Sequence, residues 1–241
     1  MSKILVIPDL HEPCSRVGAL EFCKDLRDKY KTDRTLFIGD LCDFHSISFH
    51  THHPEMPGPK DEYDMAKVCI QKWYKAFPKA GVVLGNHDRR VLRLAESVNI
   101  PKQFLRDYKD IWGTPDWNWQ DEFILEDVYY AHGDGAGSGL YPAYNMVRKM
   151  GMSCVLGHHH SCGGVKWLVN PLRRMFGLDT GSLIDDKSLA FAYGFKQTLR
   201  SVLSAAVVID GIPHHIVLPC GAGEKYHDSK FTKGGYDGRR K

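Results

Sequence analysis

Along the first half of the chain the apolar residues follow two alternating rhythms. The runs KILVIP, TLFIG and GVVLG are nearly uninterrupted, as expected of short strands buried on both faces. Between and after them, VGALEFCKDLRDKY, YDMAKVCIQKWYKAF and RRVLRLAESV repeat their apolar residues every three or four positions, the period of an amphipathic helix. Strand and helix in turn predict βαβ units and a largely parallel sheet. Further on come strand-like FILE and VYYAH, a helical YPAYNMVRKMG and the run SCVLG. From about Val165 the pattern becomes strand-rich, closing in a hairpin AAVVID-GIP-HHIVLP around an Asp-Gly turn. Two long connections, residues 44–63, rich in His and Pro, and 99–121, rich in Trp and Pro, read as binding loops, lids or poorly ordered segments.

Composition narrows the class. The chain has 241 residues, 43% of them hydrophobic and 25% charged, enough for one buried core. With no apolar run of membrane-spanning length and no signal-peptide layout, the expectation is a cytoplasmic protein without a membrane partner. Seven scattered cysteines without a Cys-x-x-Cys pair read as reduced thiols. The net charge of +3 is supplied by the last 21 residues, so the body is neutral and lacks the broad basic surface of a duplex-DNA binder. The boundaries read as one domain over residues 1–220 and a basic, mobile tail over 221–241.

Chemistry collects at the strand ends. The predicted strands run into Pro8-Asp9-Leu10-His11, Gly39-Asp40-Leu41-Cys42-Asp43, Gly85-Asn86-His87-Asp88, His132-Gly133-Asp134 and Gly157-His158-His159-His160. In a parallel sheet the carboxyl ends share one edge, so these loops converge on one site. Their oxygen and nitrogen donors are too many for one four-coordinate zinc, and two divalent cations with a bridging carboxylate such as Asp40 fit better.

In order and spacing, Asp9-x-His11, Gly39-Asp40-x-x-Asp43, Gly85-Asn86-His87-Asp88, His132 and Gly157-His158-x-His160 resemble the five signature motifs of the calcineurin-like metallophosphoesterase superfamily. The resemblance implies an αββα-type β-sandwich. It implies a dinuclear centre with Asp9, His11 and His160 on one metal, Asn86, His132 and His158 on the other, and Asp40 bridging. Manganese is the first expectation, with iron, zinc or nickel as alternatives. It also implies hydrolysis of a phosphoester by a metal-bound hydroxide, His87 acting as general acid or charge stabiliser and Asp43 orienting it. Arg89 and Arg90 either hold a phosphate oxygen or are exposed residues of a helix's first turn. Asp88 is expected to brace the loop or a ligand histidine, and Thr180-Gly181-Ser182 is a turn near the site or simply a tight turn.

The protein serine/threonine phosphatase branch carries Arg and Gly where this chain has Phe44 and His45, so the pattern sits closer to phosphodiesterases and nucleases. The reading is hydrolysis of a nucleotide or nucleic-acid phosphodiester. The alternatives are phosphomonoesterase activity and a non-catalytic scaffold of the same fold. His45, His50, His52 and His53 read as surface or packing residues, and the aromatic residues of 104–119 as a satellite core. Gly135-Ala136-Gly137-Ser138-Gly139 lacks the ending of a nucleotide P-loop, and its glycines are expected to let the backbone pass close to the site.

Overall fold

A computed structural model describes residues 2–49, 55–137, 139–185 and 199–218. It contains two sheets. The first has the order β11-β10-β1-β2-β3-β4, built from β1 (Lys3–Ile7), β2 (Arg34–Phe37), β3 (Gly81–Val83), β4 (Asn118–Gln120), β10 (Ser204–Ile209) and β11 (Ile212–Val217). The second has the order β5-β6-β7-β9-β8, from β5 (Glu122–Leu125), β6 (Val128–Ala131), β7 (Ser153–Leu156), β8 (Gly163–Val169) and β9 (Arg174–Thr180). β1 to β4 run parallel, as do β6, β7 and β9, while the β10–β11 hairpin is antiparallel, as its Asp-Gly turn predicts.

Period-two alternation assigns the faces of the first sheet. Ile4 and Val6 of β1, with Leu36 and Ile38, face the second sheet and pack on Val128, Tyr130, Val155, Phe176 and Leu178. Leu5 and Ile7 point the other way, under α1 (Ala19–Tyr30) and α2 (Pro59–Ala76). These helices bury Ala19, Phe22, Cys23 and Leu26, and Ala66, Ile70 and Trp73, at the three- and four-residue spacings that mark one helix face. On the outer side α5 (Pro142–Met150) covers the second sheet through Ala143 and Val147. The result is a helix–sheet–sheet–helix arrangement, the expected fold.

Residues 99–121 have regular structure of their own. They form a short 3-10 turn (Lys102–Phe104), α4 (Tyr108–Trp112) and β4, which extends the first sheet at its edge. Trp112 and Trp117 are fully buried in the main core, whereas Phe104 is exposed. At Gly135 and Gly137 an added Cβ would meet no protein atom within 4 Å, so packing within the described residues does not require glycine there. The six described cysteines are free thiols; Cys220, His50, His52, His53 and the tail 221–241 lie outside the described residues. Among the described residues no helix is long and apolar enough to cross a membrane.

Candidate metal centre

The carboxyl ends of β1, β2 and β3 in one sheet and of β6 and β7 in the other meet along a common edge, and the turns that follow them are laced together. The amides of Leu10 and His11 donate to the Asp40 carbonyl at 3.1 and 2.9 Å, Glu12 N–H to Leu41 at 2.9 Å, and Asp43 N–H to Glu12 at 3.0 Å. Gly157 N–H donates to the His132 carbonyl at 2.9 Å, and Leu183 N–H, beside the Thr180-Gly181-Ser182 turn, to the Asp9 carbonyl at 2.8 Å. Ser182 thus pairs with Asp9 of the first loop, while the Thr180 hydroxyl donates to the Leu156 carbonyl at 2.9 Å at the end of β7.

Three residues that sequence reasoning assigned to metal, His11, Asp40 and His158, have left-handed backbones with φ of 51°, 49° and 67°. Such conformations are strained for residues with a Cβ and collect where surrounding structure enforces them. The glycines of the motifs have a steric role. A Cβ on Gly85 would strike the Asp40 carboxylate, and one on Gly157 would strike that of Asp9. Each glycine therefore makes room for a donor contributed by a different loop.

The side chains form linked groups. Asp9, His11 and His160 present ligand atoms within 4.8 Å of one another, as do Asp40, His132 and His158, and as do His11, Asp40 and His87. His160 Nε2 lies 3.2 Å from Asp9 Oδ2 and 3.1 Å from His11 Nε2. His132 Nε2 lies 3.2 Å from both Asp40 Oδ2 and His158 Nδ1, and 3.0 Å from Asn86 Oδ1. Asp40 Oδ2 also stands 3.6 Å from His11 Nε2, which puts it between the two groups. Asp9, His11, Asp40 and His132 are buried, while Asn86, His158 and His160 are half-buried at the mouth.

For His11 and His132, hydrogen bonding on the far side of the ring fixes where the lone pair points. His11 Nδ1 is 2.8 Å from Asp43 Oδ1, an acceptor, so Nδ1 carries the proton and Nε2 aims its lone pair inward. His132 Nδ1 is 3.0 Å from the Ile38 carbonyl, which imposes the same tautomer. His132 Nε2 then faces a carboxylate oxygen, an amide oxygen and a second imidazole nitrogen, all able to accept. Asp9 Oδ1 is buried without a hydrogen-bond partner among the described residues. Lone pairs crowded together in this way repel unless a proton or a cation sits among them, and the mixed nitrogen and oxygen donors suit a divalent metal.

The electrostatics agree. Burial alone would raise the carboxyl pKa values of Asp9 and Asp40, but the surrounding histidines, His132 foremost, hold both below the ordinary range, so both remain anionic. Burial lowers the pKa of His11 and His158, assisted by the charges of His87 and His132 respectively, which keeps these rings neutral. Burial opposes protonation of His132 as well, yet Asp40 overrides it and raises that ring to about 10, so the anionic carboxylates beside it favour positive charge there.

Beside the donors, His87 Nδ1 donates to the Asp43 carbonyl at 2.7 Å and lies 3.2 Å from Asp43 Oδ1. Asp43 thus braces both His87 and His11. Arg90 donates to the carbonyls of Asp43 and Phe44 at 2.7 and 3.0 Å and places Nη2 3.0 Å from His87 Nε2. Arg89 instead pairs with Asp121 at 2.9 Å and Asp134 at 3.7 Å. His159 turns out of the group and contacts the Gly137 carbonyl at 2.9 Å.

Asp88 is a buried strut. Its Oδ1 accepts from Leu41 and Cys42 N–H at 3.1 and 3.3 Å and its Oδ2 from Gly85 N–H at 2.9 Å, joining two loops. Sequence reasoning missed Glu62, whose buried carboxylate accepts from the amides of His45 and Ser46 at 2.7 and 3.0 Å and tethers the loop after Asp43 to α2. It also missed Glu12, which accepts from Trp73 Nε1 at 2.7 Å and Ser15 Oγ at 2.8 Å. In sequence both look like ordinary solvated acids; Glu12's place directly after Asp9-x-His11 was the one available signal.

Several solved structures resemble the chain at low identity. They include a metallophosphoesterase from Sphaerobacter thermophilus (15% identity, TM-score 0.43, covering 92% of this chain and 90% of that one). Yfce, a phosphoesterase from E. coli, is similar at 14% identity and TM-score 0.42, covering 86% and 88%. Vacuolar protein sorting 29 from Cryptosporidium parvum is similar at 12% identity and TM-score 0.43, covering 90% and 96%. No curated protein sequence matches. The family model described as calcineurin-like phosphoesterase matches residues 2–182, three quarters of the chain and all five strand-end motifs. The chain belongs to the calcineurin-like phosphoesterase family.

Proposed function

We propose that the protein is a dinuclear metal-dependent phosphodiesterase acting on a nucleotide or nucleic-acid substrate. The observation that carries the reading is the convergence of metal-ligand donor atoms from five strand-end loops on one edge, with Asp40 Oδ2 between two donor groups. Asp9, His11 and His160 would hold one cation, Asn86, His132 and His158 the other, and Asp40 both. When bound, two divalent cations, manganese by preference, supply a nucleophile from water at neutral pH and offset charge on the phosphoryl oxygens.

The chain's own residues do the rest. His87 is anchored through Nδ1, so Nε2 is the atom that exchanges a proton with the leaving oxygen. Burial disfavours the charged ring, but Asp40 and Asp43 outweigh it and raise the His87 pKa, which favours the protonated, donating form. Protonation removes the lone pair that Arg90 Nη2 faces, and releases that guanidinium arm to grip a non-bridging phosphate oxygen. Asp43 positions His87 without touching substrate. Arg89, engaged with two carboxylates, holds substrate only if it leaves them.

Preference for a diester is supported by Gly85-Asn86-His87-Asp88-Arg89 together with Gly157-His158-His159-His160, and by Phe44 and His45 in place of the phosphoprotein-phosphatase Arg and Gly. Retention of His87 and every ligand position argues against a scaffold role. We place the domain at residues 1–220, with 221–241 as a basic tail, in the cytoplasm.

The test is manganese-dependent hydrolysis of bis-p-nitrophenyl phosphate beside p-nitrophenyl phosphate, with chelator and Asp40→Asn controls. Diester turnover that both controls abolish is the expected result. Monoester preference would select the phosphatase reading, and silence on both substrates across several metals would overturn the enzymatic one.

A further inference from the structure

Arg90 opens α3 (Arg90–Ser97), so the helix fixes its backbone, and the direction of its guanidinium is set by the turn that follows Asp43. Nη1 donates to two consecutive carbonyls, those of Asp43 at 2.7 Å and Phe44 at 3.0 Å, while Nη2 stands 3.0 Å from His87 Nε2. In an extended chain consecutive carbonyls point to opposite sides. Here they converge on one donor because Phe44 takes a left-handed backbone with φ of 47°. That conformation is strained for a residue with a Cβ and persists only where neighbours enforce it.

Three contacts enforce it. The Phe44 ring is buried against Trp112, with centroids 5.6 Å apart, and Arg90 itself holds the two carbonyls. The third is Glu62. Its Oε1 accepts from His45 N–H at 2.7 Å, and its Oε2 accepts from Ser46 N–H at 3.0 Å and from the Ser46 hydroxyl. Glu62 lies on the same face of α2 as Ala66, Ile70 and Trp73, all buried. A carboxylate on a core-facing stripe is costly unless its oxygens are used, and here both are.

The bond from His45 reaches furthest, because that N–H and the Phe44 carbonyl belong to one peptide unit. The unit is gripped at both ends, by Glu62 at its nitrogen and by Arg90 at its oxygen. A peptide unit is planar and rigid, so fixing the direction of its N–H fixes that of its C=O. Hydrogen bonds in series also polarise one another, so the Glu62 carboxylate strengthens the carbonyl on which Arg90 rests. We propose that Glu62 is a positioning residue for the reaction: through the Phe44–His45 peptide it sets the direction of the Arg90 guanidinium, and with it how that group meets His87 and a non-bridging oxygen of the substrate. The inference deepens the phosphodiesterase reading and rests on it for the role given to Arg90.

The test is a double-mutant cycle on kcat/KM for bis-p-nitrophenyl phosphate, with Glu62→Gln and Arg90→Ala in the manganese-loaded full chain. Glutamine keeps the volume and one acceptor oxygen but turns an amide donor toward the other backbone N–H. Glu62→Gln should lower kcat/KM about tenfold in the parent and less than about twofold once Arg90 is gone. Glu62→Ala, where it folds, should lose more and show the same coupling. A brace that merely holds the fold would cost the same in both backgrounds, and that result, or parent-like turnover in the Glu62 variants, overturns the proposal. A second readout needs neither metal nor substrate. In side-chain N–H NMR spectra of the chelated chain, the Arg90 guanidinium, identified by its loss in Arg90→Ala, should rotate and exchange slowly in the parent and freely in Glu62→Gln. A guanidinium equally restrained in both, or free in both, overturns the proposal. If the parent hydrolyses neither phosphoester while this signal still depends on Glu62, the phosphodiesterase reading fails and the link from Glu62 to Arg90 stands.

Discussion

A neutral imidazole offers one lone pair, and what bonds to its other nitrogen decides where that lone pair points. The Asp43 carboxylate makes this choice for His11, and the Ile38 carbonyl makes it for His132. His87 is held in the same way, by the Asp43 carbonyl, but its outer nitrogen meets a guanidinium instead of further lone pairs. His87→Ala should therefore retain metal and fold while lowering kcat by roughly 10²–10⁴-fold, as steady-state kinetics beside metal analysis would show. Unchanged kcat at full metal occupancy would remove His87 from the chemistry. A separate residue reports on stability. Asp179 accepts from Ala143 N–H at 3.0 Å, and burial raises its pKa to about 6 despite that bond. With an unfolded value near 4, the folded state holds the extra proton, so its contribution is most favourable below about pH 4 and declines as pH rises to about 6. Asp179→Asn, whose amide oxygen still accepts from Ala143, should raise stability by about 2 kcal/mol at pH 7.5 and leave it nearly unchanged at pH 4. Denaturant titrations at the two pH values check the sign.

The strand ends deliver the donors, but the turns between them need bracing, and buried carboxylates provide it. Asp88 joins the loops after β2 and β3 through three backbone amides, and Glu62 ties the next turn to α2. Asp88→Ala strands those amides in a dry interior and should cost about 3 kcal/mol or more, measured as a loss of denaturant midpoint. Gly85→Ala tests the packing from the other side. Its methyl group would push the Asp40 carboxylate out of place, so metal affinity should fall sharply while far-UV circular dichroism stays near that of the parent. A parent-like metal titration would mean that the loop yields and that glycine is not required there. Asp88 was legible beforehand as a brace for its loop, but Glu62 was not. A lone acid in a helix's first turn, such as Glu62, has the same sequence signature whether it is solvated or capping a distant loop, and Arg89 and Arg90 are indistinguishable until the helix phase turns one toward His87.

The site spans both sheets, so a bound cation would tie the two layers together. Divalent metal should accordingly raise Tm in a concentration-dependent manner that chelator reverses, and Asp40→Asn should blunt the effect. Calorimetry with and without manganese decides it, and a Tm indifferent to metal would place the donors in a purely structural network. Much of this architecture was legible in the chain alone. The strands, the helices, the closing hairpin and the donor types at each strand end follow from local periodicity and turn chemistry, which act within a few residues. The 99–121 segment was legible only in part: its aromatic residues read as core, but their joining the main core against α2 and the fourth parallel strand they lead into depend on partners far away in the chain. The sequence by itself determined which donors exist and that they share one edge. Only the tertiary structure decided which of them meet, which tautomer each ring takes and which arginine faces the site, because lone-pair direction and helix phase are set by groups dozens of residues away, such as the Ile38 carbonyl against His132.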